Sequence, residues 1–273
     1  MNQLTQTLSS QKRGKMARNL PKVKFYSAPL KHFIKSLNHF LNPKKEEWDW
    51  SRGILRSYLE LEMRLKGVTE IEKRKNISSL FFQELVKSQE YKKEIKEKVT
   101  LFQKEWDKIN DSYMLALSKT LEIDWPKKDK VFKVFVSPNP ICPRFIKERV
   151  FDAYYRDPLE RMIAISIHEI LHFLWFEKWK EVFPKTLKYH FDEPYLEWKL
   201  SEMVPRTILS DKSIQNIFNH KPLIYDEYAY LNIKGRLLPK HLGEFYYKRK
   251  DIEDFIKKSW EFVKKHEKEI NKA

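Results

Sequence analysis

The chain has 273 residues, of which 41% are hydrophobic and 14% aromatic, so it is long enough for one sizeable core or two small ones. Its single cysteine excludes an intramolecular disulfide and is typical of a reducing compartment. The net charge of +16 favours acidic partners, but the basic residues are spread along the chain and match no nucleic-acid-binding motif, so charge alone names none.

The N-terminal segment 1–24 is polar and basic, and it lacks the apolar stretch of a signal peptide. We expect it to be a basic, flexible N-terminus, although its Ser and Arg content would also suit an organelle transit peptide. No apolar run approaches the ~20 residues that cross a bilayer. The sequence therefore predicts a soluble, cytoplasmic protein with no membrane partner.

Region 25–125 has the composition and spacing of a helical N-terminal region. Ser27 can cap a first helix whose apolar residues Leu30, Phe33, Ile34, Leu37, Phe40 and Leu41 lie on one face. Further helices are predicted within 48–67 and 76–120, which are rich in Lys, Glu and spaced apolar residues. Nothing in this region suggests chemistry, so we expect it to form a helical layer.

Region 126–273 begins with strand patterns and continues with helices. Apolar and polar residues alternate in 131–140, and a second strand is predicted at 149–156. Asp157 and Pro158 then form a helix start, and that helix is expected to reach about Val182. With later helices at 194–209, 213–219 and near the C-terminus, the predicted fold class is α+β and predominantly helical, with a short β-sheet.

The stretch ISIHEILHFLWFEKW (165–179) carries the strongest functional signal. His168 and His172 are four residues apart, so they project from the same helix face and can share one tetrahedral Zn²⁺. Glu169 is the next residue after His168, so its side chain leaves the helix in another direction. From there it cannot easily act as a third ligand, but it can reach a water molecule bound to the metal. In H-E-x-x-H sites the metal lowers the pKa of that water toward ~7 and the carboxylate takes its proton.

The H-E-x-x-H motif is unlikely to occur by chance in a chain of this composition. With 8 His and 26 Glu, H-E-x-x-H is expected roughly 0.02 times in a shuffled sequence of this composition. The two histidines and Glu169 are also the polar groups at the centre of an otherwise apolar helix. Burying ionisable groups costs several kcal/mol each unless they are compensated, and a metal ion would compensate them.

Through His168-Glu169-Ile170-Leu171-His172, the sequence resembles the zincin metallopeptidases. Trp175 and Lys178 stand where the metzincin branch has its Gly and third His, so the gluzincin branch is the nearer likeness. The resemblance implies a zincin-like metallopeptidase domain at 126–273. It also implies that strand 149–156 is an edge strand along which an extended peptide binds.

A gluzincin-like site implies a glutamate ligand some tens of residues after the motif. Glu202 and Glu197 are the candidates, with Asp192 and Glu193 as outsiders. Glu202 is favoured because it lies in the apolar context LSEMV, where a carboxylate needs a partner. Glu197 lies near a helix start, where the helix dipole and solvent already satisfy it.

Zincins also use a Tyr or His side chain that polarises the scissile carbonyl together with the metal. The sequence offers several such residues after the motif, and their spacing selects none of them: Tyr189, His190, Tyr225, Tyr228 and His241.

The predicted function is a zinc-dependent peptidase that acts on a peptide or protein substrate and holds one Zn²⁺ per chain. His168, His172 and Glu202 are its expected metal ligands and Glu169 its general base. Two alternatives stay open: a non-catalytic basic helical protein that binds nucleic acid or an acidic partner, and a zinc-binding pseudo-peptidase scaffold. The substrate-binding residues and the oligomeric state are not predicted.

Overall fold

The chain adopts an α+β fold that is mostly helical and contains a small mixed β-sheet, which confirms the predicted fold class at that level. The computed structural model describes residues 20–42 and 48–272. Of the N-terminal segment 1–24 that was expected to be flexible, residues 1–19 lie outside the described residues. A strand, β1 (Lys22–Ser27), begins within that segment.

Within the described residues, the helices fall into a long central element and shorter elements before and after it. They are α1 (Leu30–Leu41), α2 (Ser51–Ser57), α3 (Leu59–Leu65), α4 (Ile71–Lys87), α5 (Gln89–Asp107), α6 (Asn110–Thr120), α7 (Leu159–Val182), α8 (Leu196–Met203), α9 (Pro205–Ile208), α10 (Lys212–Gln215), α11 (Asp226–Ala229), α12 (Leu238–Tyr247), α13 (Ile252–Lys265) and α14 (Glu267–Ile270). The remaining strands are β2 (Val131–Ser137), β3 (Arg144–Phe145), β4 (Val150–Tyr154), β5 (Asn232–Ile233) and β6 (Arg236–Leu237). A short 3-10 helix covers Lys188–Phe191.

The chain divides into two compact units, each made of separate stretches of sequence. Unit I takes its described residues from Met1–Lys22, Ile109–Lys130 and Ile167–Ala273, and unit II takes them from Val23–Lys108 and Val131–Ser166. The predicted ranges 25–125 and 126–273 each contribute to both units. The compact units are therefore not contiguous in sequence, and the domain boundaries stay a prediction.

The sheet of unit II has the strand order β1-β2-β4-β3. Strand β4 is parallel to β2, with Lys133 opposite Val150, and antiparallel to β3, with Phe145 opposite Val150. Because β3 lies on the outer side of β4, β4 is an interior strand. The expectation that 149–156 forms an exposed edge is therefore wrong.

Strand β4 is interior because the chain reverses direction just before it, which brings β3 alongside. The N–H of Asp152 donates to the C=O of Pro143 at 2.9 Å, which continues the pairing of β3 with β4. A strand of two residues is too short to produce an alternating pattern of apolar and polar residues, so the sequence did not reveal this partner.

The backbone of strand β1 forms hydrogen bonds with a side chain from helix α5. The side-chain amide of Gln103, on α5, accepts a hydrogen bond from the N–H of Phe25 at 3.0 Å and donates one to the C=O of Val23 at 3.1 Å. These two bonds imitate the pairing of a neighbouring strand. They satisfy main-chain groups that otherwise invite pairing with another chain.

The core of unit II includes the apolar face that the sequence predicted for α1. Phe33, Leu37 and Leu41 are buried, and the ring of Phe33 packs edge-on against Phe82 of α4. Leu30, in the first turn of α1, is 44% exposed, so the buried part of this face starts one turn later. Each buried side chain of this kind contributes about 1.5–3 kcal/mol to the free energy of unfolding.

The part of α7 that belongs to unit I is apolar on nearly all sides and buried accordingly. Leu171, Phe173, Trp175 and Phe176 are each 0% exposed, although they point in different directions around the helix. Among the described helices, none combines the length and the apolar character that crossing a membrane requires.

Candidate metal centre

The H-E-x-x-H residues occupy the middle of helix α7, as the sequence predicted. His168 and His172 are 6% and 0% exposed, and their rings meet edge to face with centroids 4.6 Å apart. One ligand atom from each of His168, Glu169 and His172 lies within 4.8 Å of the others, so this group could hold a metal ion. Glu169 is partly buried.

Helix α8 brings a fourth side chain to these residues. The Oε2 atom of Glu202 lies 3.1 Å from Nε2 of His168 and 3.5 Å from Nε2 of His172. Glu202 is 2% exposed, and its neighbours Leu200 and Met203 are fully buried. The structure therefore places one carboxylate oxygen against both imidazoles, although 34 residues separate Glu202 from His168 in the chain.

These two distances suit ligands that share one ion. Zinc binds imidazole nitrogen and carboxylate oxygen at about 2.0–2.2 Å, so two ligands of a tetrahedral site are about 3.3–3.5 Å apart. The separations of 3.1 and 3.5 Å from Glu202 to the two histidines lie close to that value. The donor set of two nitrogens and one oxygen is also one that Zn²⁺ accepts.

The buried charge of Glu202 also favours a cation at this position. A carboxylate buried to this degree is strongly destabilised unless a cation compensates its charge. Neutral imidazoles carry no charge, so a protonated histidine or a metal cation is needed to supply it. A cation placed between His168, His172 and Glu202 would satisfy all three side chains together.

The other acidic residues considered as ligands have different surroundings. Oε1 of Glu197 lies 2.9 Å from Nδ1 of His190, so this carboxylate already has an imidazole partner outside the motif. Glu193 interacts electrostatically with Lys199 and with Tyr228. The main chain of Asp192 takes part in the turn after the 3-10 helix. The ligand role of Glu202 stays a prediction, but this geometry favours it over the alternatives.

Aromatic rings form a wall beside the candidate centre. The ring of Phe176 is nearly parallel to His172, with centroids 6.2 Å apart, and it stacks on Phe191 at 4.4 Å. Phe191 is 2% exposed and follows His190 in the 3-10 helix. This stack restricts the orientation of His172 and keeps water from that side of its ring.

A tyrosine from α6 supports the helix directly before the first histidine. The hydroxyl of Tyr113 donates to the C=O of Ile167 at 2.6 Å, and Tyr113 is fully buried. Burial raises the pKa of this phenol well above its ordinary value, so it remains a donor at all ordinary pH values. This contact is not predictable from the sequence, because no local pattern links positions 113 and 167.

The side chains expected to polarise a substrate carbonyl also differ in their surroundings. Tyr228 is fully buried, and its pKa is raised by burial first and then by the charge of Glu202, so it lies within electrostatic range of the candidate centre. His241, in contrast, bonds through Nε2 to the C=O of Ile233 and stacks against Phe262. The sequence alone did not distinguish these two residues.

Comparisons with known proteins add no family to this description. No protein-family model, no curated protein and no solved structure matched the chain. The chemistry of the described side chains is therefore the basis for assigning a function.

Proposed function

We propose that the chain is a zinc-dependent peptidase in which His168, His172 and Glu202 hold one Zn²⁺ and Glu169 acts as the general base. One observation carries the proposal: a single carboxylate oxygen of Glu202 lies 3.1 and 3.5 Å from the Nε2 atoms of the two histidines of an H-E-x-x-H helix. A zincin-like catalytic unit built around α7 and α8 is part of the proposal.

When bound, zinc would act as a Lewis acid that acidifies water and polarises a substrate carbonyl. Glu169 follows His168 directly, so its side chain leaves the helix about 100° around the axis from that of His168. Its oxygen still lies within 4.8 Å of a ligand atom on each histidine. From this position it can accept a proton from the attacking water and later donate that proton to the leaving amine.

The surrounding residues prepare the two histidines for this role. Tyr113 holds the main chain of Ile167, and Phe176 lies against the ring of His172. Fixing side chains before substrate arrives lowers the cost of orienting them during the reaction. Since β4 is interior, the proposal does not assign substrate binding to its edge.

The central experiment measures metal and hydrolysis in the same preparations of the full chain. We expect about one zinc per chain by elemental analysis, and cleavage of an unstructured protein substrate such as casein. His168→Ala should lose the zinc, because two remaining ligands hold it poorly. The control His220→Ala, at an exposed histidine, should retain both zinc and activity.

Glu169→Gln separates metal binding from catalysis. It should keep about one zinc per chain and lose hydrolysis by 10²–10⁴-fold, the usual contribution of general acid–base catalysis. Full activity of Glu169→Gln would refute the mechanism. Zinc without cleavage in the unmodified chain would identify the scaffold alternative instead, and a chain without any bound metal would refute the site.

A further inference from the structure

Unit II contains a pocket whose chemistry the proposed function does not use. It is open to solvent and has a volume of about 470 Å³, within the range of 300–1,000 Å³ that is usual for sites of small organic ligands. Its lining residues come from α2, α3, α4 and the segment after β4. The residues of the candidate metal centre belong to unit I, so the pocket shares no residue with that centre.

The apolar part of the pocket is built from Tyr58, Leu59, Phe81 and Leu85. Tyr58 and Phe81 are 5% and 8% exposed, and their rings meet edge to face at 5.7 Å. The hydroxyl of Tyr58 donates to the C=O of Pro138 at 2.7 Å, which fixes its ring in the wall. This surface offers a preformed contact for an aromatic or aliphatic group.

Three arginines supply the charge of the pocket, and their surroundings differ. Arg64 pairs with Glu60 at 2.5 Å and with Glu84 at 2.9 Å, and its guanidinium lies over the ring of Phe81. These two carboxylates also line the pocket. The charge of Arg64 is therefore already compensated.

Arg156 and Arg56 keep their charge available to a ligand. The guanidinium of Arg156 lies 5.1 Å from the ring centroid of Tyr155 and 5.8 Å from that of Tyr58, and it also forms a hydrogen bond with the side chain of Tyr154. Among the described residues, no carboxylate forms an ion pair with Arg156 or Arg56. Both side chains line the same pocket beside its apolar wall.

We propose that this pocket binds an organic monoanion in which a carboxylate is joined to an apolar group. The C-terminal residue of a peptide and a free aromatic acid share this chemistry. A planar guanidinium matches a carboxylate through two parallel hydrogen bonds. Three arginines and two glutamates leave one net positive charge, which suits a single negative charge, and Glu60 and Glu84 disfavour a phosphate dianion.

Isothermal titration of the full chain with small probes tests the proposal. N-acetylphenylalanine should bind at least tenfold more tightly than its neutral amide, since only the acid reaches the guanidinium groups with a charge. A hexapeptide ending in Phe with a free carboxylate, compared with the free acid, distinguishes a peptide terminus from a small acid. Phenyl phosphate should bind more weakly than N-acetylphenylalanine.

Variants locate the binding in this pocket. Arg156→Gln and Arg56→Gln should each weaken binding of N-acetylphenylalanine at least tenfold, with an unchanged circular dichroism spectrum. Arg52→Gln is the matched control, because Arg52 is exposed on the same helix as Arg56 but does not line the pocket. If Arg156→Gln fails to fold, the exposed Arg56 still provides the test.

Three results would overturn the proposal. The first is that N-acetylphenylalanine and its amide bind equally well, or that neither binds. The second is an unchanged affinity for N-acetylphenylalanine in Arg56→Gln, and the third is tighter binding of phenyl phosphate than of N-acetylphenylalanine.

Discussion

At the scale of single residues, the surroundings of a glutamate distinguish a candidate metal ligand from an ordinary ion-pair partner. Glu197 and Glu202 are five positions apart on helix α8, and both have an imidazole neighbour. Glu197 faces the imidazole of His190, whereas one oxygen of Glu202 faces two imidazoles at 3.1 and 3.5 Å. One carboxylate oxygen facing two imidazoles is the arrangement that a shared metal ion would need.

The difference between these two glutamates leads to a direct prediction. Glu202→Gln should weaken zinc binding by more than 100-fold. Loss of a residue that only hydrogen-bonds to a metal ligand already lowers metal affinity 10–100-fold, and Glu202 is proposed to contact the metal itself. Glu197→Gln should bind zinc as the unmodified chain does. Competition with a chromophoric chelator measures both affinities. Equal losses in the two variants would contradict the assignment of Glu202.

The position of a side chain can be predicted from sequence where the information is local or where burial limits the choice, and the ligand roles stay predictions. The spacing of His168 and His172 is set within one turn of helix. Glu202 was preferred for its apolar neighbours, and the structure buries it beside both histidines. The pairing of Arg156 with the ring of Tyr58 was not predictable, because it joins positions far apart in the chain.

At the scale of secondary-structure elements, α7 is held at the residue next to its first histidine. The C=O of Ile167 belongs to the helix, and it also accepts the hydroxyl of Tyr113 from α6. A buried bond from another element limits small rotations of the helix about its axis. Such rotations would move His168 relative to Glu202 on α8.

Removing that hydroxyl tests how strongly α6 supports α7. Tyr113→Phe should lower the free energy of unfolding by about 0.5–1.5 kcal/mol, the net contribution of one such hydrogen bond. The control Tyr26→Phe should change it little, because Tyr26 is 44% exposed. Urea unfolding followed by circular dichroism measures both. No difference between the two variants would show that the bond is not needed for stability.

The strands show the limit of predicting elements from local patterns. The alternating residues of β2 and the strand at 150–154 were identified from sequence. The order of strands was not, because hydrogen bonding between strands depends on contacts distant in sequence. Strand β3 has two residues and no periodicity, yet it changes β4 from an edge strand into an interior one.

At the scale of the whole molecule, function depends on residues gathered from separate stretches of sequence. The described residues of unit I come from three such stretches, and His168, His172 and Glu202 all belong to the last of them. Tyr113, which supports α7, comes from the stretch before it. A metal ion held by these three ligands would bind the folded chain in preference to the unfolded one, so metal binding and folding would be linked.

That linkage gives a prediction for the intact protein. Zinc at 100 times its dissociation constant should stabilise the chain by about 2.7 kcal/mol. At about 2–4 °C per kcal/mol for a chain of comparable length, the midpoint of thermal unfolding should rise by about 5–11 °C. Differential scanning calorimetry with zinc, and then with a chelator, measures the rise and its reversal. If the units unfold in separate transitions, the rise should appear in the transition of unit I, because every proposed ligand lies there, and His168→Ala should remove it. A rise that persists in His168→Ala would mean that zinc acts elsewhere on the molecule.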